Sequence, residues 1–146
     1  MIQDHMKFAI DLAERAKKLN EVPVGCVISD RDDNLISYAF NSTIKSHDPT
    51  GHAEIIAIRK ACKKLKTNKL LDFSIYITLE PCNMCEAAII SVGIKKIFFG
   101  AYSNNFNIYK KKLSNYYSGK KNYQCFGGFE EERCSKLLLE FFKKMR

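Results

Sequence analysis

The chain has 146 residues, enough for one domain of ordinary size, and its 46% hydrophobic content supplies a real core. No apolar run approaches the roughly 18 residues that suggest a membrane span, so the sequence reads as a globular protein with no membrane partner. The net charge of +8 admits a polyanion such as nucleic acid, but lysine far outnumbers arginine and Ile and Asn are also abundant, so compositional bias accounts for it as well.

At the N-terminus, Asp4, His5, Asp11 and Glu14 interrupt the apolar residues, which is not the pattern of a signal peptide. A cytoplasmic protein is expected. In that reducing compartment the six cysteines are thiols, ligands or catalytic groups rather than a disulfide framework. Cys26, Cys62, Cys125 and Cys134 sit among apolar neighbours and read as buried, inert thiols.

Ala9, Leu12, Ala13, Ala16 and Leu19 recur at helical spacing and predict an amphipathic helix over about 3–20. Val22–Ile28 and Leu35–Tyr38 read as strands joined by the polar turn of residues 30–34, a β-hairpin. Asp48-Pro49-Thr50-Gly51 is a turn cluster; a helix starts close to His52, with Ile55, Ile58, Cys62 and Leu65 on one apolar face.

Alternation of Phe73, Ile75, Ile77 and Leu79 predicts a strand over 73–79, followed by a helix over about 83–92 and a short strand over 96–99. From Gly100 to about residue 128 the text is irregular, with one strand near Tyr123–Phe126. Cys134, Leu137, Leu138, Phe141, Phe142 and Met145 then mark a C-terminal helix over about 130–145. This order of elements implies a single domain over 1–146, an α/β/α layer sandwich with a mixed central sheet.

Two segments at helix starts carry metal-binding chemistry: Gly51-His52-Ala53-Glu54 and Pro81-Cys82-Asn83-Met84-Cys85. Helix N-termini expose unpaired N–H groups and partial positive charge, which favour thiolates. Cys82 and Cys85, three residues apart, project to one side of a first turn and can grip zinc, with His52 as a third donor. A redox pair would need no distant His-x-Glu. Three protein ligands with no obvious fourth suit a catalytic zinc site better than a structural one. Glu54 is then placed to move protons beside the metal; taken alone, it is a carboxylate favouring a helix N-terminus.

Together these two segments resemble the zinc-dependent nucleobase deaminases of the cytidine deaminase superfamily. Glu21-Val22-Pro23-Val24-Gly25, Asn41, His47-Asp48-Pro49-Thr50, Thr78-Leu79-Glu80-Pro81-Cys82, Phe99-Gly100-Ala101 and the C-terminal Phe141-Phe142-Lys143-Lys144-Met145-Arg146 look most like the tRNA-specific adenosine deaminases within it. The chain lacks Trp, and Thr78-Leu79-Glu80 precedes Pro81, unlike the polynucleotide cytidine deaminases.

The resemblance implies one zinc ion held by His52, Cys82 and Cys85, with Glu54 carrying protons during conversion of the wobble adenosine, position 34, to inosine. It further implies a homodimer that binds the tRNA anticodon stem-loop. Asn41 would bond the nucleoside, Val24 and Leu79 would wall the base, and backbone near Pro81 would position it. Phe142 would border the RNA cleft, Phe141 the core. Lys143, Lys144 and Arg146, with Lys110-Lys111-Lys112 and Lys120-Lys121, are candidate phosphate contacts. A free-base or nucleoside deaminase acting on guanine or cytosine shares the metal motifs, and a non-catalytic zinc-stabilised RNA-binding module is the alternative outside enzymology. Tyr102-Ser103-Asn104-Asn105 departs from the family, which carries an Asp soon after Gly-Ala.

Overall fold

A computed structural model of the chain describes residues 1–106 and 123–145. The lysines at 110–112 and 120–121 and Arg146 lie outside the described residues.

Helix α1 (Ile2–Lys18) leads into strands β1 (Gly25–Ser29) and β2 (Leu35–Phe40), then helix α2 (Ala53–Leu65). Strand β3 (Ser74–Leu79), helix α3 (Asn83–Val92) and strand β4 (Lys96–Ala101) follow, and β5 (Gln124–Phe126) and α4 (Glu131–Lys144) complete the described fold. The sheet order is β2-β1-β3-β4-β5. β1 pairs antiparallel with β2 and β3, whereas β3–β4 and β4–β5 are parallel, so the sheet is mixed.

Helices α1 and α4 pack together on one face, and α2 and α3 on the other. Strand β1 is buried along its whole length, as a strand covered on both faces must be. This is the α/β/α sandwich that the alternation of elements implies.

Local chemistry explains the boundaries. Strand β1 begins at Gly25 rather than Val22: Pro23 has no N–H to give a ladder, and a tight turn closes on Val22, whose carbonyl accepts from Val24 N–H at 2.8 Å. At Gly25 a Cβ would sit 1.8 Å from the carbonyl oxygen of Ala9, so only glycine lets α1 approach the sheet so closely. In the hairpin turn, Asp30 Oδ1 accepts from the backbone N–H of Asp32 and Asn34, both at 2.9 Å.

The buried side of α2 differs from the expected one. Ala53, Glu54, Ala57 and Ala61 are buried, while Ile55, Ile58 and Cys62 are half-buried and Leu65 is 40% exposed. Alanines let the helix lie close to β1 and β2, and the larger side chains are displaced outward. Leu19 and Met145 are likewise exposed, each at the end of its helix. Cys26 and Cys134 are buried as expected, but Cys62 is half-buried and Cys125, on the edge strand β5, is exposed.

Candidate active site

The site forms where the parallel strands β3 and β4 end, the edge at which α/β sheets leave room for ligands. Buried Pro81 follows β3 and holds Glu80 extended, and Cys82 then takes the N-cap of α3 with φ −70° and ψ 171°. His52 is the N-cap of α2, with φ −71° and ψ 151°. Two helix starts, thirty residues apart in sequence, thus face one another.

The loop before His52 is held from several sides. Asp48 Oδ1 accepts from Thr50 N–H at 2.9 Å and Thr50 Oγ1 at 2.7 Å, and Gly51 carbonyl accepts from Ser42 N–H at 2.9 Å. A Cβ on Gly51 would lie 2.5 Å from Ser42 oxygen, so a larger residue would push His52 out of place.

Glu21, 1% exposed, anchors the other end of that loop. Its Oε1 accepts from Ile44 N–H at 2.9 Å and Lys45 N–H at 3.0 Å, and its Oε2 accepts from Thr43 N–H at 3.0 Å. Burial raises its carboxyl pKa, but the loop N–H groups of Lys45, Thr43 and Ile44 outweigh that and hold it below the ordinary value. Such a carboxylate adds stability above its unfolded pKa of about 4.3, and that stability is lost as pH falls through the lower folded value. Glu21→Gln is therefore expected to cost about 2 kcal/mol near neutral pH, with the gap to the parent closing in acid; urea melts across pH check it. A gap constant down to acid pH would assign the effect to packing.

His52 Nδ1 lies 3.6 Å from Cys82 Sγ and 3.4 Å from Cys85 Sγ, and the three donor atoms fall within 4.8 Å of one another. Two donors on one tetrahedral zinc, at its usual N and S bond lengths, stand about 3.6 Å apart. The residues fit zinc in donor type and in spacing.

Cys85 donates a hydrogen bond that holds the Cys82 thiol down to about 4, with His52 adding to the effect. The same contact pushes Cys85 far up, and the bond to Cys82 raises His52. Glu54, 4% exposed on the first turn of α2, lies close enough to feel His52, Cys82 and Cys85; burial raises its carboxyl above the usual range.

The remaining expected residues divide into two sets. Val24 and Leu79 are 6% and 5% exposed, and Asn41, 6% exposed, donates its backbone N–H to Val24 carbonyl at 3.0 Å. Phe142 is half-buried on α4, in the other helical layer, its ring edge-on to buried Phe141 at 5.4 Å.

Glu80, part of the segment leading to Cys82, is a further organising residue whose role its sequence context does not reveal. Its Oε1 accepts from Ser103 N–H at 3.1 Å and Ser103 Oγ at 2.9 Å, and its N–H reaches Ala101 carbonyl at 2.8 Å. The unusual Ser103-Asn104-Asn105 forms a short 3-10 turn tied to the strand end that leads to Cys82. Ser103 is fully buried, and no pattern in the sequence links it to Glu80.

Residues 1–101 match the zinc-binding region of the cytidine and deoxycytidylate deaminases. The chain belongs to that family. Among its relatives, the tRNA-specific adenosine deaminase of Haemophilus influenzae is 38% identical over 97% of this chain and 83% of its own. A structure from a study of A-to-I editing by tRNA:A34 deaminases at the wobble position superposes with TM-score 0.82 at 31% identity, covering 92% of this chain and 99% of that one. The guanine deaminase of Nitrosomonas europaea superposes at 0.86 with 22% identity, covering 95% and 83%, a likeness of fold alone.

Proposed function

We propose that this chain is a zinc-dependent hydrolase that converts the wobble adenosine, position 34, of tRNA to inosine. The observation that carries the reading is the convergence of His52, Cys82, Cys85 and buried Glu54 in a chain alike over 97% of its length to tRNA-specific adenosine deaminases.

His52, Cys82 and Cys85 hold the zinc, which when bound supplies a Lewis acid that makes water a competent nucleophile near neutral pH. Glu54 takes one proton from the attacking water and passes it to the ring nitrogen N1, then takes the second from the hydroxyl now on C6 and gives it to the departing amine. The new C6–O bond forms, the C6–N bond breaks, ammonia leaves and hypoxanthine remains on the ribose. Because Glu54 is shielded from bulk water, each proton it accepts returns to substrate. Asn41 holds the nucleoside, Val24 and Leu79 flank the base, the backbone at Pro81 and Cys82 orients the attacked carbon, and Phe142 borders the RNA cleft.

The test offers the purified protein a tRNA bearing a wobble adenosine, read by sequencing as A-to-G, beside guanine, cytosine and adenosine alone. Conversion of the tRNA is expected. Deamination confined to a free base would overturn the substrate assignment.

The reading includes a one-domain cytoplasmic protein, residues 1–146, supported by the reduced thiols that the metal site requires, and a homodimer. Half-buried Ile55, Ile58 and Cys62 of α2, with Met84 and Ile90 of the adjoining α3, form an apolar face suited to a second copy. Sedimentation equilibrium is expected to give twice the chain mass, and Ile58→Glu a monomer. A wild-type monomer at micromolar concentration would rule the dimer out.

A further inference from the structure

A groove of about 580 Å3 runs between α1 and α4, in the helical layer away from α2 and α3. Its floor is apolar, Ile10 and Leu137. Lys17, Lys18, Arg133, Lys136 and Lys144 line it against only two carboxylates, Glu14 and Glu140. Glu140 is already engaged, since Lys17 Nζ donates to its Oε2 at 2.6 Å. Among the described residues, Lys18, Arg133, Lys136 and Lys144 are in no ion pair and are exposed.

Arg133, Lys136 and Lys144 recur with Glu140 at steps of three and four, so they form one stripe along α4, apart from the buried Cys134, Leu138 and Phe141. The stripe is about 16 Å long at 1.5 Å per residue, too extended for a single phosphate and suited to a chain of them. Lys18 faces it from α1. Rigid helices carry these cations, so little backbone order is lost when they engage a partner.

The groove also adjoins the catalytic edge of the sheet. Asn20, which lines it, directly precedes Glu21, the anchor of the 43–45 loop, and Val24 is bonded to Asn41.

We propose that this α1–α4 groove is a second RNA-binding surface, in which Lys18, Arg133, Lys136 and Lys144 take the phosphate backbone of tRNA beyond the wobble nucleotide. The proposal rests on the reading of tRNA as substrate. It assigns anticodon-distal affinity to α1 and the outer stripe of α4, where no base can be read, so the contribution is independent of sequence.

The test compares Lys18→Glu/Arg133→Glu/Lys136→Glu with Lys7→Glu/Lys63→Glu/Lys95→Glu, three exposed lysines elsewhere, which change net charge equally. Zinc-loaded full-length proteins are titrated with tRNA at several salt concentrations and assayed for inosine in single turnover. The groove triple is expected to weaken tRNA binding at least tenfold and flatten the salt slope by about two to three, roughly 0.7–0.9 per lost phosphate contact. Its rate at saturating tRNA stays unchanged. The control stays within a few-fold, and the Gln triple at the groove positions shifts in the same direction by less.

Equal losses in groove and control triples would overturn the proposal, as would an unchanged affinity in the groove triple. Should the parent bind tRNA without making inosine, the substrate reading fails, while the binding comparison still decides the groove.

Discussion

Glu54→Gln is expected to retain one zinc per chain and to lose turnover on tRNA by about 10²- to 10⁴-fold, the usual weight of a positioned general acid–base. The amide keeps the size of the carboxyl and sits in the same buried place on α2, so binding and fold are preserved. It cannot accept a proton, and water attack then lacks the group that relays one proton to the ring and a second to the leaving amine. In free energy the loss is about 3–5 kcal/mol of barrier. Zinc content by atomic emission and inosine formation in single turnover measure the two halves separately. A fully active variant would make Glu54 an ordinary first-turn carboxylate, and the non-catalytic zinc module would regain its footing.

Cys85→Ala is expected to have the second large effect: zinc binding below one per chain and activity at background. Cys85 is fully buried on the first turn of α3, with His52 Nδ1 at 3.4 Å, so its removal leaves a nitrogen and a single sulfur facing the metal. Two donors hold zinc far more weakly than three, and part of the metal's binding energy is folding energy, so the melting temperature falls as well. A chelator applied to the parent is expected to reproduce both losses, and added zinc to reverse them in the parent alone. Combining Cys85→Ala with Glu54→Gln lowers activity little beyond Cys85→Ala, because the two groups act as a unit. Full zinc occupancy in Cys85→Ala would refute the ligand set.

Much of this molecule is legible in its sequence, for a physical reason that differs from place to place. The hairpin shows because Asp30 and its neighbours can only make a turn, and α3 shows because Pro81 stops the ladder at the residue where thiolates profit from a helix start. His52, Cys82 and Cys85 stand out because zinc ligation tolerates few residue types at narrow spacing, and Glu54 by its place two residues after His52.

Helix α2 misleads because an apolar side chain is not thereby a buried one. Its alanines lie against β1 and β2 while Ile55, Ile58 and Cys62 lie further out, and only the distance between helix and sheet distinguishes the two sides. Cys125 misleads for a related reason: an apolar setting in the text says nothing of a place on an edge strand.

Glu21 and Glu80 fall within segments that carry the resemblance, but what each does there is not legible in the sequence. Each is an unremarkable carboxylate in the text, and each acquires its work from N–H groups brought to it from loops some twenty residues away.

By itself, then, the sequence determined the order of the elements and the donor types of the zinc-binding region, since periodicity and ligand type are local properties written residue by residue. Only the tertiary structure decided which helix faces are covered, how the loop before His52 is held, and that cations of α1 and α4 line one groove. Those depend on the close approach of segments distant in the chain, which packing alone creates.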